Sequence, residues 1–138
     1  MAGTDLTART ACELAAALRG GKVSARELMA ATLDRIEAVN PAINAIVTLR
    51  PREALLAEAA AAVRAGAGGP LHGLPVAVKD LVATKGMRTT WGSPLFADHV
   101  PAADDLVAAR MRAAGAILIG KTNTPESGHG SPTFNPVF

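Results

Sequence analysis

Leu74-Pro-Val-Ala-Val78, which runs straight into Lys79-Asp80, and Ala116-Ile-Leu-Ile119, followed at once by Gly120 and Lys121, are the stretches that decide the fold. Both are short, continuously apolar and free of alternation, as strands are when both faces are covered. Between them lies a long loop, Val82 to Pro101, holding Gly86, Thr89, Thr90, Trp91, Gly92, Ser93 and Pro94. A helix then starts at Asp104 or Asp105, runs through Leu106, Val107, Arg110, Met111 and Ala114, and ends at Gly115. Strand, connection with helix, strand is a crossover unit, which predicts two parallel buried strands in an α/β sheet.

Upstream, the sequence predicts helices. Thr10-Ala-Cys-Glu13 and Ser24-Ala-Arg-Glu27 both match the capping box, in which a hydroxyl accepts from the third helical N–H and the Glu reaches back to the cap. The first helix carries Leu14 and Leu18 and stops at Gly20-Gly21; the second carries Leu28, Met29, Thr32, Leu33, Ile36 and Val39 at helical spacing and is expected to end at Asn40-Pro41. Ile43-Asn-Ala-Ile-Val-Thr48 is short and β-branched, the pattern of a strand or extended segment. Arg52 to Ala65, after Pro51, is a third helix, closed by Gly66 and the linker-like Ala67-Gly-Gly-Pro70.

Composition narrows the function classes. A chain of 138 residues has room for one domain. Of its apolar residues 30 are Ala, with three Phe, one Trp and no Tyr, so side chains able to fill a core are few. The balance of 14 Lys+Arg and 12 Asp+Glu gives a net charge of +2 and a pI near 9.1. The bases are scattered and aromatic stacking platforms are nearly absent, which argues against nucleic acid as a partner. No apolar run approaches the ~18 residues of a membrane span. Met1-Ala-Gly-Thr-Asp-Leu6 does not read as a signal peptide, and a single Cys suits a reducing compartment, so a cytoplasmic setting is expected.

Several apparent motifs carry no chemistry. Gly115-Ala-Ile-Leu-Ile-Gly-Lys-Thr122 fits the letters of a phosphate-binding loop, but that cradle needs a strand before the first Gly and a helix after the Lys. Here a helix precedes, the residues between the glycines are strand-like, and Thr124-Pro125 follows. His72, His99 and His129 stand on separate loops without metal-ligand spacing, so no metal is expected. Cys12, on an Ala-rich helix without a neighbouring base, reads as a small packing residue.

Lys79 is different. It ends an apolar strand and precedes a Gly/Ser/Thr-rich loop, at the carboxyl end where α/β folds place their ligands. An amine stripped of water there favours its neutral form and can act as a general base. The plainer alternative is a solvated ion pair with Asp80 or another carboxylate.

Taken together, Leu71-His-Gly-Leu-Pro-Val-Ala-Val-Lys-Asp80, then Lys85-Gly-Met-Arg-Thr-Thr-Trp-Gly-Ser93, then Leu106 through Gly115 to Gly120-Lys-Thr-Asn-Thr-Pro-Glu126 resemble the N-terminal part of the amidase signature family. The resemblance runs from about Leu71 to Phe138, and the helical first half is similar to that family's leading region. It implies an α/β fold in which N-terminal helices accompany the first strands of a mixed, largely buried sheet flanked by helices. Residues 1–66 would form the leading region and 67–138 the start of the core, as the N-terminal portion of a single larger domain.

The resemblance also implies carboxamide C–N hydrolysis by a Ser–Ser–Lys triad, in which Lys79 falls on the base. Asp80, Thr89, Thr90, Gly92, Ser93 and Asn123 would support it in the surrounding shell, mainly structurally. No cofactor is implied, and the partners implied are a small carboxamide substrate and a second copy of the complete enzyme. The family's serines lie in a Gly/Ser-rich stretch several tens of residues beyond the Lys, with the oxyanion-binding N–H groups. Ser93, Ser127 and Ser131 lack that setting, and Ser127 stands where the family more often has a bulky apolar residue. The expectation is therefore a chain that carries the base, lacks the nucleophile and is inactive alone. The alternatives are the amidase subunit of a tRNA-dependent amidotransferase, and a non-catalytic fragment with only an interaction role.

Overall fold

Both capping boxes form. In the computed structural model, which describes residues 5–65 and 68–138, α1 (Ala11–Arg19) opens with Glu13 N–H donating to Thr10 Oγ1 at 3.3 Å and Thr10 N–H donating to Glu13 Oε2 at 2.8 Å. Ser24 and Glu27 repeat the exchange at 3.1 and 2.8 Å to open α2 (Ala25–Ile43). These bonds satisfy helical N–H groups that have no partner inside the helix.

α2 does not stop at Asn40-Pro41. Pro41 lies inside its last turn, and the helix ends at Asn44, which takes the left-handed conformation at φ 47°. A proline one turn from the end deletes a single intrahelical bond, and Asn40 offsets the loss by gripping the next element. Its side chain donates to Ile46 O at 2.9 Å and accepts from Ile46 N–H at 2.8 Å. The following strand is correspondingly shifted, to β1 (Ile46–Leu49).

α3 (Arg52–Ala65), β2 (Pro75–Lys79), α4 (Leu106–Ala113) and β3 (Ile117–Thr122) complete the framework. Gly66 and Ala67, part of the expected linker, lie outside the described residues. The sheet order is β1-β3-β2, with β3 central, antiparallel to β1 and parallel to β2. The predicted parallel pair is present, within a mixed sheet.

Side chains on β3 alternate between two cores. Ile117 and Ile119 pack on α2 and α3 through Met29, Leu33, Leu55 and Ala59. Leu118, with Ala116, turns to the other face and meets Val78, Met87 and Ala108 of α4. Cover on both faces is why neither strand alternates in sequence. The Ala residues at helix contacts allow close approach, and the core volume comes from a few Leu, Ile and Met side chains.

Asp105 occupies the predicted cap of α4, but its carboxylate accepts from Ala83 N–H at 2.7 Å rather than from the helix. Asp104 likewise accepts from Lys85 N–H at 2.7 Å. The long loop is thus stitched to the start of α4. Cys12 is exposed rather than packed, because α1 turns only Ala17 fully inward.

Candidate active site

The carboxyl ends of β2 and β3 lie side by side, and each carries a lysine. In the parallel register Val78 pairs with Lys121 and Lys79 pairs with Thr122. Paired residues share a face and successive residues alternate, so the two lysines project from opposite faces of the sheet. Lys79 is exposed, contrary to the expectation of a desolvated amine, and among the described residues it forms no ion pair. Its face of the sheet is the one on which the helical layer packs, through Ile117, Ile119 and Ala77.

Asp80 does not pair with Lys79. It is fully buried, and its carboxylate accepts from Thr90 Oγ1–H at 2.6 Å and from Thr90 N–H at 3.1 and 3.2 Å. Thr90 Oγ1 in turn accepts from Gly92 N–H at 3.0 Å, and Ser93 N–H donates to Thr90 O at 3.0 Å. The backbone of Asp80 is held on both sides: its N–H donates to Thr122 O at 2.9 Å and its carbonyl accepts from Trp91 N–H at 3.1 Å.

Trp91 sits at φ 51° and Gly92 at φ 67°, a pair of left-handed residues that folds the loop back onto Asp80. A left-handed conformation disfavours a bulky residue such as Trp. Contacts hold it there: the indole N–H donates to Leu81 O at 3.1 Å, and the ring stacks on His99 at 5.2 Å and meets Phe96 edge-on at 4.9 Å. Thus Asp80, Thr90, Gly92 and Ser93 form one tight turn beside the strand end. Thr89 belongs to a second cluster, around Lys121. Asn123 joins neither; its side chain donates to Asn44 O at 3.2 Å and accepts from Asn135 Nδ2 at 2.8 Å, tying the end of β3 to the residue that closes α2 and to the C-terminal segment.

Lys121 is the residue that sequence reading missed. Its side chain is fully buried, and its ammonium donates to Val82 O, to Thr84 Oγ1 at 3.2 Å and to Thr89 Oγ1 at 2.9 Å. Burial pushes this amine down to about 8, opposed by the carboxylates of Asp80, Asp105 and Asp104. The available signal was a lysine continuing an apolar strand, a placement lysine rarely takes without partners. Read as part of a failed phosphate-loop pattern, Gly120-Lys121 instead lies within β3, as the rejection of that pattern requires.

Comparison with known proteins gives a consistent picture. Residues 27–138 match the family model described as Amidase. The chain is 44% identical to a subunit of the glutamyl-tRNA(Gln) amidotransferase of Acidothermus cellulolyticus, across 98% of this chain and 27% of that protein. It is 41% identical to an acylamidase of Rhodococcus erythropolis, across 94% of this chain and 28% of that protein. Among solved structures, 6-aminohexanoate cyclic dimer hydrolase superposes with a TM-score of 0.79 at 34% identity, over 94% of this chain and 26% of that one. The peptide amidase of Stenotrophomonas maltophilia does so at 0.75 and 34%, over 91% and 26%. The chain therefore spans about a quarter of the length of the relatives it matches.

Proposed function

The chain belongs to the amidase family, and on that premise we propose that it is the N-terminal portion of a larger amidase domain, with Lys79 as the general base for carboxamide C–N cleavage. The observation that carries this reading is the position of Lys79. It is the last residue of β2, with an accessible amine, on a strand end secured through buried Asp80. A base needs both reach to the reacting group and a fixed origin.

In this reading the nucleophilic serine, the bridging serine and the oxyanion-binding N–H groups come from the part of the relatives that this chain does not span. The bridging serine passes its proton to the Lys79 amine as it takes one from the nucleophilic serine, whose oxygen bonds to the amide carbon. The leaving amine departs with a returned proton, and water repeats the sequence to release the acid. Cover from the same downstream part would strip water from Lys79, which favours the neutral amine the step needs.

Two measurements test the proposal. The 138-residue chain, purified and verified by mass, is expected to show no turnover of a simple aryl amide, because members of a catalytic unit are not independently useful. Turnover by that material would overturn the assignment of the missing serines. Reading the coding DNA past the Phe138 codon in all three frames then locates any Gly/Ser-rich stretch. In the polypeptide that includes it, Lys79→Ala is expected to lose at least about 10³-fold in kcat, and retained activity would remove Lys79 from the mechanism.

A second reading has specific support in the 44% identity to amidotransferase subunits. There the same base would serve amide transfer within a complex. Activity that requires charged tRNA and a partner protein selects this reading, and activity without them selects the hydrolase.

A further inference from the structure

The environment of Lys121 is built for an ammonium ion. Its three N–H bonds meet three oxygens, on Val82, Thr84 and Thr89, so the buried charge has a full set of partners. Both threonines use their own O–H elsewhere: Thr84 Oγ1–H donates to Val82 O at 3.0 Å and Thr89 Oγ1–H to Met87 O at 3.0 Å. Their lone pairs are thereby turned to Lys121. All three acceptors belong to the loop after β2, whereas the lysine belongs to β3.

One of those acceptor residues leads directly to the candidate base. Val82 receives Lys121 on its carbonyl and donates its N–H to Lys79 O at 2.9 Å. The next residue of β3, Thr122, accepts from Asp80 N–H at 2.9 Å. Lys121 therefore closes a ring of contacts through Val82, Lys79, Asp80 and Thr122, on the face opposite the Lys79 amine.

We propose that Lys121 is a positioning residue: its ammonium clamps the loop after β2 to β3 and thereby fixes the strand end from which Lys79 projects. The functional meaning rests on the reading of Lys79 as the base, while the clamp itself is independent of it. Apolar packing of Val82 and Met87 could hold the loop alone, and the test separates the two.

Hydrogen exchange is measured on the 138-residue chain for wild type, Lys121→Met, Thr89→Val and their combination. Met fills the volume without donating, and Val replaces Thr in shape without accepting. Lys121→Met is expected to accelerate exchange of the Asp80, Val82 and Trp91 amides at least about tenfold relative to amides of α2, the mark of a local opening. Thr89→Val, the milder change, is expected to accelerate the same amides by about threefold or more, and by less when Lys121 is already Met. The clamp is overturned if these amides are unprotected in wild type, if neither variant singles them out, or if the two effects simply add. No readout uses turnover, so failure of the clamp and failure of Lys79 as base are separate results.

Discussion

Replacing Asp80 isolates the contribution of the turn beside Lys79. In Asp80→Ala the Thr90 N–H and O–H groups lose their shared acceptor in a site closed to solvent. Hydrogen bonds to a charged group contribute about 1.5–3 kcal/mol each, and a buried donor left unpaired costs its desolvation, so a loss of roughly 3–5 kcal/mol is expected. Asp80→Asn keeps one acceptor oxygen for Thr90 while removing the charge and turning the other oxygen into an NH2 donor, which should cost about 1–2 kcal/mol. Guanidinium unfolding followed by Trp91 fluorescence reads both, since this sole Trp donates its backbone N–H to Asp80 O. The Asp80 charge also holds the Lys121 amine up, so either variant should push that amine below about 8 in an NMR titration. A cost under about 1 kcal/mol for Asp80→Ala, or equal costs for Ala and Asn, would refute the argument that a charged, fully partnered carboxylate holds the turn.

Gly120→Ala would place a Cβ 2.2 Å from Thr48 O, backbone against backbone, and should part β1 from β3 at a cost of about 3 kcal/mol; undiminished protection of the Arg50 amide, which donates to Ile119 O, would contradict this. Leu118→Ala, fully buried on the central strand, should cost about 3 kcal/mol in the same unfolding assay. Ser24→Ala removes the cap of α2 and should cost about 1 kcal/mol; an unchanged midpoint would show that the capping box contributes nothing here. Lys121 stands at about 8 in the folded chain against an ordinary 10.5, so between those values the unfolded chain binds more protons. The stability of wild type relative to Lys121→Met should therefore be flat below pH 8 and rise from about 8 to 10.5, by at most about 3 kcal/mol at about 1.4 kcal/mol per pH unit. A difference that falls across that window would refute the burial argument.

Local structure was legible in the order of residues alone. Thr10-x-x-Glu13 and Ser24-x-x-Glu27 place two helix starts because the bonds they encode lie within four residues. The unbroken apolar runs at 74–78 and 116–119 announced strands covered on both faces, and the helix between them made those strands parallel neighbours. Lys79 at a strand end could be read for the same reason, as a polar interruption of an apolar run.

What each polar side chain meets was set by packing instead. Pro41 remains helical because Asn40 is tied to Ile46 across the turn. Asp80 serves Thr90 rather than Lys79, and the buried lysine is Lys121 rather than Lys79. The partners of Lys121 lie 32 to 39 residues away in the chain, and no periodicity records a pairing of that span. Which amine keeps its water follows from sheet register and from how the loop closes over one face, and those are properties of the packed chain.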